Sequence, residues 1–311
     1  MARALGLALV TTPRYILPEQ VVFVTRRTHQ RRMRLVPDAA TNGLLSYLIA
    51  ALAPRFGIGV WGVVVMSNHY HLGIVDHEGR LPAFLQLLDA LLARALNLQQ
   101  GRKDSLWSGD KPHVAVVADE GAVFEKLGYM AANPVAARLV EQGRDWPGVR
   151  TSPQDFGSAR TYPRPTFFFD PDGRMPAEAT LTLEVPAMCA HHGAGGFHRL
   201  ACDAVAAAES EARLANAGKP YLGAARCRAV DPMDEPKKRE AGGRRRAGSV
   251  IATDEASRKD LDAALEAFLA VYAETRARFL AGERDVHWPR GAYYRVVIDR
   301  CPCHDAPGPA G

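Results

Sequence analysis

His69 and His71 stand one residue apart in MSNHYHLGI, and Tyr129 and Asn133 stand four apart in GYMAANPV. Alternate residues share one face of a strand, and residues four apart share one face of a helix, so each spacing aims two side chains the same way. Two imidazoles on one face can reach a single ion. Two nitrogen donors are too few for a closed structural zinc site, which takes four. The pair suits an open centre completed by another protein ligand, water and phosphate oxygens. A tyrosine hydroxyl ordinarily titrates near pH 10, so it becomes a useful nucleophile at neutral pH only with help from a base or a strong local field. A divalent ion held by His69 and His71 would polarise a phosphodiester and orient it for in-line attack by Tyr129. Each signal alone has a plain structural reading. About 0.3 His-x-His pairs are expected by chance in a chain of this histidine content. Most tyrosines are packing residues with a polar tip. Asn133 before Pro134 would also serve as the N-cap of a short helix in VAARLVEQ.

The elements that would position these groups are legible in the pattern. QVVFVTRR, residues 20–27, is β-branched and aromatic, with Val21, Phe23 and Thr25 on one face and Val22, Val24 and Arg26 on the other, which predicts a strand. Asp38 is a plausible N-cap for a helix through Leu44, Leu45, Leu48, Ala51 and Leu52, ended by Pro54 and Gly57. IGVWGVVVM (58–66) and HYHLGIV (69–75) read as two strands of a hairpin turned at Ser67-Asn68. His69 and His71 then project from one face while Tyr70, Leu72 and Ile74 enter a core on the other. Pro82 and Gly101 bracket a second helix with a stripe of Leu85, Leu88, Leu92 and Leu96. HVAVVA (113–118) is a fourth strand, and Asp119 caps a helix that Asn133-Pro134 should interrupt. The first six elements spell β-α-β-β-α-β. The fold class expected is therefore α+β: a ferredoxin-like antiparallel sheet with two helices on one face and the other face open for a ligand.

Charge and composition narrow the partners. The chain has 311 residues, 47% hydrophobic, and a formal charge of +5. Residues 1–152 carry 17 Lys+Arg against 12 Asp+Glu, and residues 153–311 carry 22 against 22, so all the positive excess lies in the first half. That half also holds TRRTHQRRMR, with Arg26, Arg27, Arg31, Arg32 and Arg34 within nine positions, a composition suited to a polyanion such as nucleic acid as well as to a solvated basic loop. ALGLALV is too short and too weakly flanked for a signal peptide, and no run of 18 apolar residues exists. A soluble, cytoplasmic protein without a membrane partner is expected. Five cysteines, Cys189, Cys202, Cys227, Cys301 and Cys303, argue against a disulfide framework.

Two units are expected: residues 1–152 as the chemical domain, and residues 153–311 as a C-terminal α+β extension of unassigned purpose. In the extension, RPTFFFDPDGRMPAEATLTLEV suggests two strands around Asp-Pro-Asp-Gly, residues 198–216 a helix, 231–249 a disordered basic linker, 254–281 a long amphipathic helix, and AYYRVVI a short strand. Cys189, His191, His192, His198 and Cys202, like Cys301, Cys303 and His304, fit no four-ligand spacing and stay outside the expected site.

MSNHYHLGI followed some sixty residues later by YMAANPVAARLV, with Trp107 of LWS between them, resembles the HUH single-tyrosine transposases, in particular the branch that includes the REP-associated tyrosine transposases. The resemblance covers about residues 14–150. It implies that His69 and His71 bind Mg²⁺ or Mn²⁺, that Tyr129 is the catalytic tyrosine, and that Asn133, one turn later, completes the metal site. The reaction so implied is transposition of single-stranded DNA: Tyr129 attacks a scissile phosphate, forms a 5′-phosphotyrosine and releases a 3′-hydroxyl that can later attack the adduct. The phosphodiester energy is kept in the adduct, so no ATP is needed, and the chain has no GxxxxGK[ST] phosphate loop. Family members recognise imperfect hairpins, which would make Arg26, Arg27, Arg31 and Arg32 a phosphate-contacting edge, in a monomer or homodimer. The sequence departs from the family where Ala136-Ala137-Arg138 replaces the usual Arg-Ala-Gly after Asn-Pro-Val, and it lacks the usual aromatic-basic run between Trp107 and Tyr129, so target recognition does not carry over. A hairpin-binding regulator that no longer cleaves is the alternative. An RNA-binding sheet is disfavoured, because histidines stand where exposed aromatics would be required.

Overall fold

The computed structural model describes residues 13–235 and 249–304. The elements in chain order are β1 (Gln20–Arg27), α1 (Ala39–Leu52), β2 (Ile58–Met66), β3 (His69–Asp76), α2 (Leu81–Gln99), β4 (His113–Val117), α3 (Glu120–Ala136), β5 (Ala159–Pro163), β6 (Glu178–Thr182), α4 (Gly193–Ala215), α5 (Ala224–Arg228), β7 (Ser249–Ile251) and α6 (Glu255–Leu280). The fold is mixed α+β around a five-stranded, mostly antiparallel sheet in the order β2-β3-β1-β4-β7, with β7 the one strand that runs parallel to its neighbour.

Local chemistry explains the boundaries. The Asp38 carboxylate accepts the Thr41 amide at 2.7 Å and starts α1, and Asp119 does the same for α3 through Ala122 at 2.7 Å. Met66 pairs with His69, so Ser67-Asn68 is the two-residue turn of the β2–β3 hairpin. The register slips between Val60 and Gly62, and the Trp61 indole at this bulge lies over Gly73, where a Cβ would come within 2.3 Å of the ring. Only glycine admits that approach.

One face of the sheet presents Val22, Val24, Val63, Tyr70, Leu72 and Ile74 to the apolar stripes of α1 and α2, among them Leu44, Leu48, Phe84, Leu88 and Leu92. By length and composition α2 could cross a membrane, but its stripe is instead fully buried in this core. The opposite face is not open. Val21, Phe23, Trp61, Val64 and Met66 pack against Val123, Leu127 and Met130 of α3 and Phe197 and Ala201 of α4. The expectation of an uncovered ligand face is therefore corrected: the aromatic side chains on this face need cover, and the extension supplies half of it. The extension reaches the sheet elsewhere as well, since β7 lengthens it beyond β4 and the Tyr47 hydroxyl of α1 donates to the Pro176 carbonyl at 2.6 Å.

Three further expectations change. Asn133 is no N-cap, because α3 runs through Pro134 to Ala136; a proline this close to the end forfeits a single intrahelical bond, and the chain leaves the helix only at Arg138, whose φ is 57°. The strands of the extension's hairpin are β5 and β6, so the first precedes the FFFDPDG segment instead of including it. AYYRVVI forms a π-helical turn at Tyr294–Ile298, not a strand; so short an apolar run carries no decisive period. The expected basic linker falls mainly on residues 236–248, outside the described residues.

Candidate active site

The register of three strands assembles the site. Thr25 of β1 lies opposite His71 of β3 on one side and His113 of β4 on the other, and Arg27 lies opposite His69. Paired residues share a face, so these groups all stand on the side covered by α3. Tyr129 comes down from α3 onto that surface. Its hydroxyl lies 3.5 Å from His71 Nε2, and its ring meets the His71 ring edge-on at 5.2 Å. The His69 and His71 rings are 4.8 Å apart. The structure thus brings together the two histidines and the tyrosine that the sequence separates by some sixty positions.

Both imidazoles are held from behind. His71 Nδ1 is 2.9 Å from the Thr25 hydroxyl, and Phe23 stacks on the ring at 5.1 Å. His69 Nδ1 is 2.7 Å from Asn68 Oδ1. An oxygen that accepts a proton from Nδ1 places that ring's lone pair on Nε2, the usual outer-sphere arrangement for a metal-binding histidine. The donor set therefore fits a divalent ion bound through the Nε2 atoms. The two groups differ in exposure: His71 is 4% exposed and fixed, whereas Tyr129 is 44% exposed and reachable from solvent. Lys126, one turn before Tyr129, sets its ammonium 5.5 Å from the phenol ring while pairing with the Glu125 carboxylate at 2.6 Å.

Asn133 lies one turn beyond Tyr129 and is half-buried. The four arginines divide. Arg27, Arg31 and Arg32 are half-exposed, whereas Arg26 is 9% exposed, its Nε 2.9 Å from Asp89, its guanidinium 5.3 Å from the Trp107 ring, and one of its amino groups donating to the Asp110 carbonyl. Strand alternation accounts for the split, since Arg26 shares the core face of Val22 and Val24 while Arg27 shares the face of His69. Arg34, in the same basic run, is 1% exposed and donates to Asn97 at 2.7 Å. Residue-by-residue reading misses Thr25, Phe23, Lys126 and His113. Alternation along β1 and helical spacing from Tyr129 point to Phe23, Thr25 and Lys126, but His113 needs the β1–β4 register, which no local pattern contains.

No family model and no curated protein matches this chain. Among solved structures it is similar to a REP-associated tyrosine transposase bound to a REP hairpin, at 17% identity and a TM-score of 0.40, over 47% of this chain and 85% of that one. It is also similar to a candidate transposase from Deinococcus radiodurans R1, at 21% identity and a TM-score of 0.27, over 37% of this chain and 91% of that one. At these identities neither neighbour assigns a role to any residue here.

Proposed function

We propose that this chain is a metal-dependent single-stranded DNA transposase, a nickase and religase that works through a 5′-phosphotyrosine on Tyr129. The observation that carries the reading is the approach of the Tyr129 hydroxyl to His71 Nε2 with His69 beside it. A tyrosine that served packing alone would gain nothing from 44% exposure next to two oriented imidazoles. The arrangement β1-α1-β2-β3-α2-β4, paired as β2-β3-β1-β4, is read here as the ferredoxin-like unit, with residues 1–152 as the catalytic domain.

His69 and His71, with Asn133, would hold Mg²⁺ or Mn²⁺, which when bound supplies Lewis-acid polarisation of the scissile phosphate. Thr25 and Asn68 fix the two rings so that this geometry is formed before DNA arrives. Arg27, opposite His69 in the β1–β3 register, would contact the DNA backbone beside the metal site, and Arg31 and Arg32 would extend that edge toward a DNA hairpin. Arg26 is assigned to the scaffold, since its charge is already committed to Asp89. In the step itself the Tyr129 oxygen bonds to phosphorus as the bond from phosphorus to the 3′ oxygen breaks. The proton lost by tyrosine is balanced by the one gained on the released 3′-hydroxyl, and reversal with a different 3′-hydroxyl joins strands.

The test incubates the full chain with labelled single-stranded DNA from hairpin-forming repeats flanking its gene, with Mn²⁺ or with EDTA, and resolves products under denaturing conditions. A covalent protein–DNA adduct that needs the metal and is absent from Tyr129→Phe and His69→Ala supports the reading. Tight hairpin binding without any adduct from the unaltered protein replaces it with the regulator.

A further inference from the structure

A second group of metal-binding side chains lies outside this site. The sequence offers Cys189, His191, His192, His198 and Cys202 as a loose set, and the structure divides it, with His198 Nε2 and Cys202 Sγ kept together at 3.5 Å. Cys189 is fully buried, and His198 Nδ1 is directed at the Pro153 carbonyl at 3.2 Å. His191 and His192, in the turn before α4, instead face Glu120, the first residue of α3. Their Nε2 atoms are 3.3 and 3.0 Å from the same oxygen, Glu120 Oε2, and the three donor atoms all lie within 4.8 Å of one another. The two rings lie 4.0 Å apart, and Phe124, one turn further along α3, meets His192 edge-on at 5.9 Å and steadies it.

We infer that Glu120, His191 and His192 form a site for a late first-row divalent ion of the zinc class. Ligand atoms about 2.0–2.1 Å from a tetrahedral ion are about 3.4 Å apart, close to the two nitrogen-to-oxygen separations already present. Two imidazole nitrogens and one carboxylate oxygen favour zinc, nickel or copper over magnesium, which prefers six oxygens. Three protein ligands leave a position for water, and the outward exposure of His191, 63%, leaves that position facing solvent.

The consequence is mechanical. An ion here would clamp the turn before α4 to the first turn of α3. Those two helices already meet without a gap at Gly128, where a Cβ would come within 2.7 Å of the Ala204 carbonyl oxygen. The bound ion would then fix both ends of the stretch of α3 that leads to Tyr129. The inference concerns ion binding and holds whether or not Tyr129 is a nucleophile.

The experiment strips metal from the full chain and titrates Co²⁺ by visible absorption and Zn²⁺ by calorimetry. It compares the unaltered protein with His69→Ala/His71→Ala, His191→Ala/His192→Ala and Glu120→Gln. Low-coordinate cobalt absorption that survives loss of the first histidine pair, and at least a tenfold weakening with either other variant, is expected. Zinc should also raise the melting temperature wherever Glu120, His191 and His192 are intact. Cobalt binding unchanged in both Glu120→Gln and His191→Ala/His192→Ala would overturn the site, as would its complete loss in His69→Ala/His71→Ala. Glu120→Gln is an isosteric change at a partly exposed residue, so it decides the matter should the double histidine variant not fold.

Discussion

Two tyrosines on opposite faces of one sheet have opposite fates. Tyr70 leaves β3 toward α2, is 1% exposed, and donates its hydroxyl to Asp89 at 2.7 Å, with its ring edge-on to Trp107 at 5.6 Å. Burial, then the charge of Asp89 and the hydrogen bond to it, push that hydroxyl well above its ordinary pKa, so it stays a donor. Tyr129 arrives from α3 beside two imidazoles and an ammonium and stays reachable. The residue type is the same, and the surroundings decide whether the oxygen is locked into the fold or left open to solvent.

The contrast breaks most sharply at the hydroxyls themselves. Tyr129→Phe should lower adduct formation on the order of 10³-fold or more with an unchanged melting temperature. Tyr70→Phe should keep the adduct and lose about 1–2 kcal/mol of stability, read by urea unfolding. Equal loss of activity in both variants would end the distinction. Next in size, Arg26→Ala leaves Asp89 buried without its ion pair and should cost about 3–5 kcal/mol, while Arg27→Ala should leave unfolding unchanged and weaken hairpin binding in a salt-dependent manner.

Asp89 sharpens the comparison through pH. Burial pushes its carboxyl up to about 6 against the opposing pull of Arg26 and Tyr70. A folded pKa above the ordinary 3.8 means that the folded state binds the proton more tightly, so this group's contribution to stability falls as pH rises from about 4 to about 6 and is level above that. Urea unfolding across this window should show a fall of up to about 3 kcal/mol, which Asp89→Asn removes. A slope unchanged by the substitution would place the titration elsewhere. A smaller effect than at Asp89 is expected at Thr25→Val, which takes away the partner of His71 Nδ1 and should weaken Mn²⁺ binding about 10–100-fold without moving the Asp89 titration.

Much of this is legible in the sequence. The caps at Asp38 and Asp119, the hairpin turn at Ser67-Asn68 and the shared face of His69 and His71 follow from short-range rules that leave little choice. Those rules cannot convey what depends on distant chain. The basic run TRRTHQRRMR reads as one patch, yet Arg26 and Arg34 are drawn inward because Asp89 and Asn97 on α2 await them. Asn133-Pro134 reads as a break because the local bond count says so, but the packing of Pro134 and Val135 in the interior carries the helix two residues further. His191, His192 and Glu120 lie some seventy positions apart, and only the packing of α4 against α3 makes them neighbours.

The strand β7 has a consequence for assembly. It occupies the outer edge of β4, and at the other end of the sheet residues 149–151 and Glu184 bond to the outer edge of β2, through contacts such as Val65 N to Val149 O at 2.8 Å and Glu184 N to Val60 O at 2.8 Å. The border at β2 is thus covered by the chain's own backbone, and the opposite border passes from β4 to the three-residue strand β7. A second copy of the chain that pairs strand to strand is therefore offered a covered edge at β2 and only three residues of β7 at the other end, and so short an edge strand discourages edge-to-edge aggregation.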